Sequence, residues 1–353
     1  MNILIHTRKD DSVALPASVP FPGVDADTPK ALIARCPVAA ETPLVRAKAL
    51  AAGAGVAELF VKDERGRMGL GSFKALGAAY VIASDAVASG REDLSQALAG
   101  VTYVTASAGN HGMSVAAGAR VFGADAVVYI AETVPEGFAR RLADKGATVV
   151  REGVDYEASM AAAARAAESN GWNLLSDSSW EGYYDVPRRL MEGYLVLVDE
   201  IVEAMAVPPS HVFLQAGVGG LAGAAAAMMR SRWGDEPKII VVEPEAAPAI
   251  MESVGAGHVV KVSGPVSSMG RLDCKEPSLI ALKGLARDAD CFVTISEEEA
   301  ARAMPVLAEA GLATTPSGGA GIAALLASGP FHDALGLNAD SRVLCILSEG
   351  PET

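Results

Sequence analysis

Short apolar runs alternate with helical stretches along most of this 353-residue chain, and that alternation constrains the fold more than any other feature. Residues 58–61, 101–106, 126–130, 148–151, 211–215, 238–243, 291–295 and 342–347 read as strands. Between them, 72–89, 110–121, 135–145, 156–170, 187–205, 221–233, 297–310 and 318–327 read as helices. Strands this apolar are covered on both faces, and strand–helix alternation builds parallel sheets, so the expected class is α/β. The first forty or so residues, punctuated by Pro16, Pro20, Pro22, Pro29 and Pro37, read as irregular chain wrapping a larger body.

Length and charge narrow the function. At ~150 residues per domain the chain holds two domains, and because no linker marks a boundary they are expected to interleave in sequence. Half the residues are apolar and 20% are charged, which supplies a buried core and excludes disorder as the main state. Lys and Arg number 29 against 43 Asp and Glu, a net charge of −14, and no basic stripe appears, so nucleic acid is excluded as a partner. The longest apolar run, 216–229, falls short of the ~18 residues that suggest a membrane span. The start of the chain lacks an apolar stretch long enough for a signal peptide. Cys36, Cys274, Cys291 and Cys345 are scattered without metal-ligand spacing. Reduced thiols in a cytoplasmic protein with no membrane partner are the expectation.

Ligands of open α/β sheets bind beyond the carboxyl ends of the strands, and four loops there are unusual. In the first, 69–77, Ser72 can cap the following helix and Lys74 falls in its first turn. A cation there opposes the helix dipole, so its pKa should fall, which suits an amine nucleophile; a plain surface lysine is the alternative. In the second, Ser107, Ala108, Gly109, Asn110 and His111 follow a strand directly. Small residues bring backbone amides close to a ligand, although a helix cap beside a buried histidine would read the same way. The third, Gly217, Val218, Gly219, Gly220 and Leu221, is an anion cradle between strand and helix. With Ala222, and with Glu243 about twenty residues on, it also satisfies the dinucleotide fingerprint of an NAD(P)-dependent oxidoreductase. Against that rival, the loop comes late in the chain and leaves Lys74 and Asn110 without a role. The fourth loop ends a buried strand in Ser348-Glu349-Gly350, which on its own is equally a polar turn.

Together the four loops, in this order, resemble the fold type II (tryptophan synthase β-like) pyridoxal-phosphate enzymes. The similarity runs from about Thr42 to Gly350. Within that group the chain is most similar to diaminopropionate ammonia-lyase. Thr42-Pro43-Leu44-Val45, Val61-Lys62-Asp63-Glu64, Asp177 through Tyr183, Gln215 through Gly220 and Cys274-Lys275-Glu276-Pro277-Ser278 carry the likeness. The L-serine and L-threonine dehydratases are also similar. The resemblance implies two three-layer αβα domains: 1–97 with 183–353 as the large cofactor-binding domain, and 98–182 as a small inserted one. It implies pyridoxal 5'-phosphate as cofactor, an amino-acid substrate and a homodimer.

Residue by residue, the resemblance implies that Lys74 bonds the cofactor as a Schiff base and, once released, moves the substrate Cα proton. Phe73 supports the ring, Asn110 hydrogen-bonds the phenolic oxygen, amides of Gly217, Val218, Gly219, Gly220 and Leu221 hold the phosphate, and Ser348 faces the pyridine nitrogen. Ser107, Ala108, Gly109, Asn110 and His111 cradle the substrate carboxylate. Asp177 stands where the ammonia-lyase has an acid near the substrate, to recognise a β-ammonium or donate to a leaving group; a helix cap or structural hydrogen bond is its alternative. Glu243 matches a metal-contacting position of some dehydratases.

Two departures stand out. Ala108 replaces the acid of the ammonia-lyase's asparagine loop, as in the dehydratases, which predicts action on L-amino acids and little on D. Arg271 stands where the family has glycine or another small residue. It either binds a second substrate carboxylate or lies on the surface or at an interface. The expected reaction is α,β-elimination with a β-amino or β-hydroxyl leaving group, giving a 2-oxo acid and ammonia. The alternative within the same chemistry is a dehydratase of L-threonine, L-serine or L-threo-phenylserine.

Overall fold

The computed structural model describes residues 1–352; Thr353, the last residue of the expected 183–353 segment, lies outside them. In chain order the strands are β1 (Asn2–Ile5), β2 (Leu44–Arg46), β3 (Glu58–Asp63), β4 (Thr102–Ala106), β5 (Asp125–Ile130), β6 (Ala147–Arg151), β7 (Asn173–Leu174), β8 (His211–Gln215), β9 (Lys238–Pro244), β10 (Cys291–Ile295) and β11 (Arg342–Leu347). They form a seven-stranded sheet, β1-β10-β9-β8-β11-β3-β2, and a four-stranded one, β6-β5-β4-β7. Every strand pair is parallel except the two edges, where β1 runs antiparallel to β10 and β2 to β3. The strands of the smaller sheet all fall within the 98–182 stretch. No helix among the described residues is long and apolar enough to cross a membrane. The four cysteines are free.

Register places the functional loops together. Leu347 of β11 pairs with Asp63 of β3, and Cys345 of β11 pairs with Phe213 of β8. The carboxyl ends of these three parallel strands therefore emerge side by side, releasing the loops that lead to Lys74, to the 217–221 glycines and to Ser348.

Two packing devices hold the Lys74 loop. The first is a glycine crossing. The helix Lys74–Ala88 meets the helix Asp185–Ala204 at Gly77 and Gly193. A Cβ on Gly193 would lie 2.6 Å from the carbonyl oxygen of Leu76 and 2.9 Å from the Cα of Gly77. A Cβ on Gly77 would lie 2.7 Å from the ring of Tyr194. Backbone touches backbone here, as close helix packing requires. The second device is a buried ion cluster. Arg67, 2% exposed, donates to Glu64 through Nε and Nη2 at 2.7 Å, to Glu200 at 2.6 and 2.8 Å, and to the carbonyl of Ala40 at 2.9 Å. Lys62, 1% exposed, joins Glu200 at 2.5 Å. Burial alone would lower the Arg67 guanidinium, but the two carboxylates raise it, so Arg67 stays charged.

The first forty residues depart from expectation. Asn2–Ile5 extends the large sheet, and Asp27–Ile33 is a helix whose Lys30 pairs with Asp199 at 2.6 Å. Further elements without a clear periodicity also form: β2 and the helices Lys48–Ala54, Ala249–Ala256 and Leu279–Asp288. Each is short and is fixed by pairing or packing rather than by its own pattern, as β2 is by β3 and as β1 is by β10 some 290 positions on, with Asn2 opposite Thr294. The helix Gly220–Trp233 shows the opposite case: Ala222, Ala224, Ala225, Ala226 and Ala227 are all at most 2% exposed, so its alanines are the small contacts of a helix buried on all sides.

Gly193→Ala should push the two crossing helices apart and lower stability by about 1–3 kcal/mol, as overpacking does. Thermal unfolding followed by circular dichroism checks this; an unchanged midpoint would contradict the crossing.

Candidate active site

Lys74 opens its helix as its first residue, with its amide N–H donating to the Ser72 hydroxyl at 3.3 Å. Phe73 donates its amide to the carbonyl of Ser348 at 3.2 Å, and Ser72 bridges to Glu349 as an isolated antiparallel pair. The Lys74 loop is thus tied to the end of β11. The ammonium of Lys74 lies 5.3 Å from the Phe73 ring centre and 6.0 Å from that of Tyr194, and the two rings meet edge to face at 4.9 Å.

The Lys74 ammonium and the Asp177 carboxylate form an ion pair. Asp177 comes from the loop after β7, on the smaller sheet. That loop is pinned from several sides. Leu175 donates to the carbonyl of Val104 at 2.8 Å, and the Tyr183 hydroxyl donates to Leu174 at 2.7 Å. Trp180 stacks on Tyr183 at 4.3 Å. Ser179 accepts from the amide of Ile280 at 2.9 Å, capping a helix of the larger sheet. Asp177 is therefore placed by both sheets at once.

The pair sets the charges. Burial would lower Lys74, but Asp177 beside it, with smaller contributions from Tyr194 and Cys274, raises it above the ordinary lysine value. This corrects the expectation that Lys74 titrates low: the helix dipole is a fraction of a charge, whereas Asp177 is a whole one in contact. Burial would raise Asp177, and the charge of Lys74, helped by His111, holds it below the usual carboxylate range instead. Both groups are ionised.

The asparagine loop sits opposite. Ser107 accepts the amide of Gly109 at 3.2 Å, and a Cβ on Gly112 would strike the Ser107 carbonyl at 2.4 Å, so the turn admits glycine only. Ala108 brings no titratable group. His111 is 5% exposed; its Nε2 bonds the carbonyl of Leu175 at 2.8 Å and burial lowers its pKa. It is an anchor between this loop and the Asp177 loop. Asn110 donates through Nδ2 to the Glu349 carboxylate.

The glycine loop completes the ring. Gly219 takes φ +96°, and a Cβ there would lie 2.9 Å from Ile250. A Cβ on Gly217 would lie 2.9 Å from the Arg271 carbonyl and 3.0 Å from the Cys274 sulfur. Asp177 and Tyr194 both flank Gly220 within 4 Å of its notional Cβ. No protein acceptor is found for the amides of Gly219, Gly220 and Leu221 among the described residues, and they point from the start of the 14-residue helix Gly220–Trp233. Val218 lends its carbonyl to Ser278 at 3.0 Å.

Glu243 is not part of this ring. Its carboxylate accepts from the amides of Ile250 and Met251, at 2.8 Å each, and caps the helix Ala249–Ala256. Burial pushes its pKa up to about 8. Both oxygens are thus engaged in capping that helix. Among the described residues no three His, Cys, Asp or Glu side chains group as metal ligands would.

Other groups here escaped the sequence. The hydroxyl of Tyr194, on a residue 1% exposed, has no hydrogen-bond partner, and burial pushes its pKa up to about 12. Cys274, also up to about 12 by burial, lies under Gly217. Tyr156 is 51% exposed, yet after burial of its hydroxyl the charges of Asp177 and Cys274 raise it further. Glu349, 4% exposed, gathers Asn110, Thr315 and Arg271. Arg271 stands over the loop, its Nε 4.0 Å from where a Cβ on Gly109 would be. Only the Gly193-Tyr194 step, opposite Gly77, hinted at Tyr194.

Tyr194→Phe removes a buried hydroxyl that bonds nothing, so it should leave the cofactor-free protein as stable or more stable, by up to about 1–3 kcal/mol. A loss of stability on denaturant unfolding would show that the hydroxyl is bonded.

Residues 37–349 match the family described as "Pyridoxal-phosphate dependent enzyme". The chain is 34% identical to diaminopropionate ammonia-lyase of Escherichia coli K12 over 339 residues, 88% of this chain and 84% of that one. It is 32% identical to human L-serine dehydratase/L-threonine deaminase over 57% of this chain and 60% of that one. The crystal structure of the Escherichia coli ammonia-lyase in complex with D-serine superposes with a TM-score of 0.89 at 30% identity, over 99% of this chain and 94% of that one.

Proposed function

Because the chain belongs to the pyridoxal-phosphate dependent enzyme family, we propose that it is a lyase catalysing α,β-elimination from an amino acid. The leaving group is the β-amine of 2,3-diaminopropionate, and the products are a 2-oxo acid and ammonia. The observation that carries this reading is the ion pair between the half-buried Lys74 and Asp177.

The residues present fit the cofactor. In the 217–221 loop Gly217 and Gly219 are bare backbone where side chains would collide, and the amides of Gly219, Gly220 and Leu221 are unpaired at a helix N-terminus, which is the chemistry that holds a phosphate. At the other end stands a buried amine, Lys74, beside the Phe73 and Tyr194 rings. Ser348, 6% exposed at the end of β11, has the neutral hydroxyl expected against a pyridine nitrogen, and Asn110 the amide expected against a phenolic oxygen. When bound, pyridoxal phosphate supplies the electron sink that accepts the Cα electron pair.

The chain's own residues supply the rest. Were Lys74 bonded to the cofactor, its free ammonium would no longer stand against Asp177. Burial, the largest influence on Asp177, is then less opposed. Asp177 would be left to pair, ionised, with a substrate β-ammonium, which departs as ammonia and needs no further proton; toward a β-hydroxyl it would instead have to be protonated, its pKa raised by burial, and hand that proton to the departing oxygen. Lys74, freed by the incoming substrate amine, takes the Cα proton through Nζ. Ser107, Gly109 and Asn110, at the N-terminus of the helix Asn110–Val121, hold the α-carboxylate. The pocket carries Lys74 and Arg271 against Asp177 and Glu349, so it has no surplus of cations for a dicarboxylic substrate.

Ala108 favours a second reading, dehydration of a 3-hydroxy-amino acid, and in either case confines proton removal to the Lys74 side. The reading includes the division into 1–97 with 183–353 around 98–182, and a homodimer in the cytoplasm.

Lys74→Ala should abolish turnover; full activity in that variant would overturn the assignment. Pyruvate release from L-2,3-diaminopropionate should exceed 2-oxo acid release from L-threonine and L-threo-phenylserine, with the D-enantiomer slow by comparison. The opposite order would favour the dehydratase. Asp177→Asn removes the charge that raises Lys74, so its pKa should fall. Loading by pyridoxal phosphate needs the neutral amine, so the rise of its rate with pH should move to lower pH in the variant, as stopped-flow absorbance would record. An unmoved profile would contradict the pair.

A further inference from the structure

The Arg271 side chain, 30% exposed, faces two carboxylates of the chain itself. Its Nε lies 3.0 Å from Glu349 Oε2, and its Nη1 donates to Glu352 at 2.8 Å. Its backbone amide is held by the Ser317 hydroxyl at 3.1 Å. Glu349 is the centre of the group. One oxygen accepts from Thr315, and the other faces both Arg271 and the Nδ2 of Asn110. The carboxyl is 4% exposed, so its charge state is decided by these neighbours rather than by water.

We propose that Arg271 is a positioning residue: by keeping Glu349 ionised it fixes which end of the Asn110 amide turns toward the cofactor. The inference rests on the reading above that Asn110 meets the phenolic oxygen. An ionised carboxylate only accepts, so it pins Nδ2 of Asn110 toward itself. Nδ2 carries two N–H groups; one is spent on Glu349 and the other is left to donate. A neutral Glu349 carries a hydroxyl and can donate to Oδ1 instead. The amide is then free to rotate and present an acceptor to the phenolic oxygen, which needs a donor.

Thr315 and Asn110 are neutral, and Glu352 is a second acid. Arg271 is therefore the one cation facing Glu349 among the groups around it. Burial already raises the Glu349 pKa, and Arg271 is the strongest influence opposing it. The sign of the pH dependence follows. Without Arg271, the folded protein holds the Glu349 proton to higher pH than the unfolded chain does. Its stability therefore falls as pH rises through that range.

The test compares wild type, Arg271→Met, Glu349→Gln and the double variant, each as full-length protein. Two quantities are read: the affinity for pyridoxal phosphate by absorbance titration, and the thermal midpoint of cofactor-free protein from about pH 6 to about pH 9. Arg271→Met should weaken cofactor affinity about tenfold at the low-pH end, the loss of one charge-supported hydrogen bond, and the loss relative to wild type at the same pH should shrink as pH rises and Glu349 ionises. Its thermal midpoint should fall more steeply with rising pH than that of wild type. Adding Glu349→Gln should abolish that extra slope and leave the double variant binding no more weakly than Glu349→Gln alone. Equal, independent losses from the two substitutions would overturn the proposal. So would Arg271→Met with cofactor affinity and pH slopes unchanged, including the case where only KM for substrate rises, which would place Arg271 on the substrate. Wild type that takes up no pyridoxal phosphate would overturn the underlying reading as well. A wild type that binds it and turns over beside an indifferent Arg271→Met overturns this inference alone.

Discussion

The buried guanidinium of Arg67 is the constraint on which the site depends. It sits between β3 and the Lys74 helix, in a segment where Met68 takes φ +49° and Gly69 and Gly71 take φ +66° and +78°. The two glycines take this conformation freely, but Met68 does so at a cost unless its surroundings hold it. Arg67 holds it by bonding Glu64 beside it, Glu200 on the long helix and Ala40 on the N-terminal segment. Such a cluster contributes little net stability over apolar packing, yet losing one partner leaves uncompensated charge in the interior, at about 3–5 kcal/mol. Its consequence is geometric: Lys74 leaves that loop at one fixed angle.

From there the site is an arrangement of paired charges. Lys74 answers Asp177, Arg271 answers Glu349, and each pair joins elements that are far apart in sequence. In the cofactor-free protein both carboxylates are spoken for. Chemistry at Lys74 necessarily changes the state of Asp177, because one is the other's counter-ion. The glycine loop is the complementary device, where close packing on Arg271, Cys274, Ile250 and Ala281 forbids side chains and leaves amides exposed to a ligand.

Much of this was legible in residue order. The strand at 211–215, the helix at 156–170 and the strands at 291–295 and 342–347 fall where the apolar pattern put them, because buried parallel strands and alanine-rich helices carry strong local signals. Lys74, Asn110 and the 217–221 glycines were visible as loops with odd composition at strand ends. Asn2–Ile5 was not, since an edge strand of four residues gains its hydrogen bonds from β10 and has no pattern of its own. Tyr194 was hidden within an apolar helix face, where a tyrosine reads as core. The Lys74 pKa was misjudged because the helix dipole is visible in sequence and the approach of Asp177 across 103 positions is not.

Sequence alone determined the class of fold, because hydrophobic periodicity is a local property that a chain declares without folding, and its resemblance to a known family singled out Lys74 as the candidate reacting amine. Tertiary structure alone decided the charge on that amine, the use of Glu243 as a helix cap, and the placement of Arg271 against Glu349 rather than a substrate. Those outcomes depend on burial and on Coulomb contacts of a few ångströms, and such distances exist only once both sheets have brought their loops to one place.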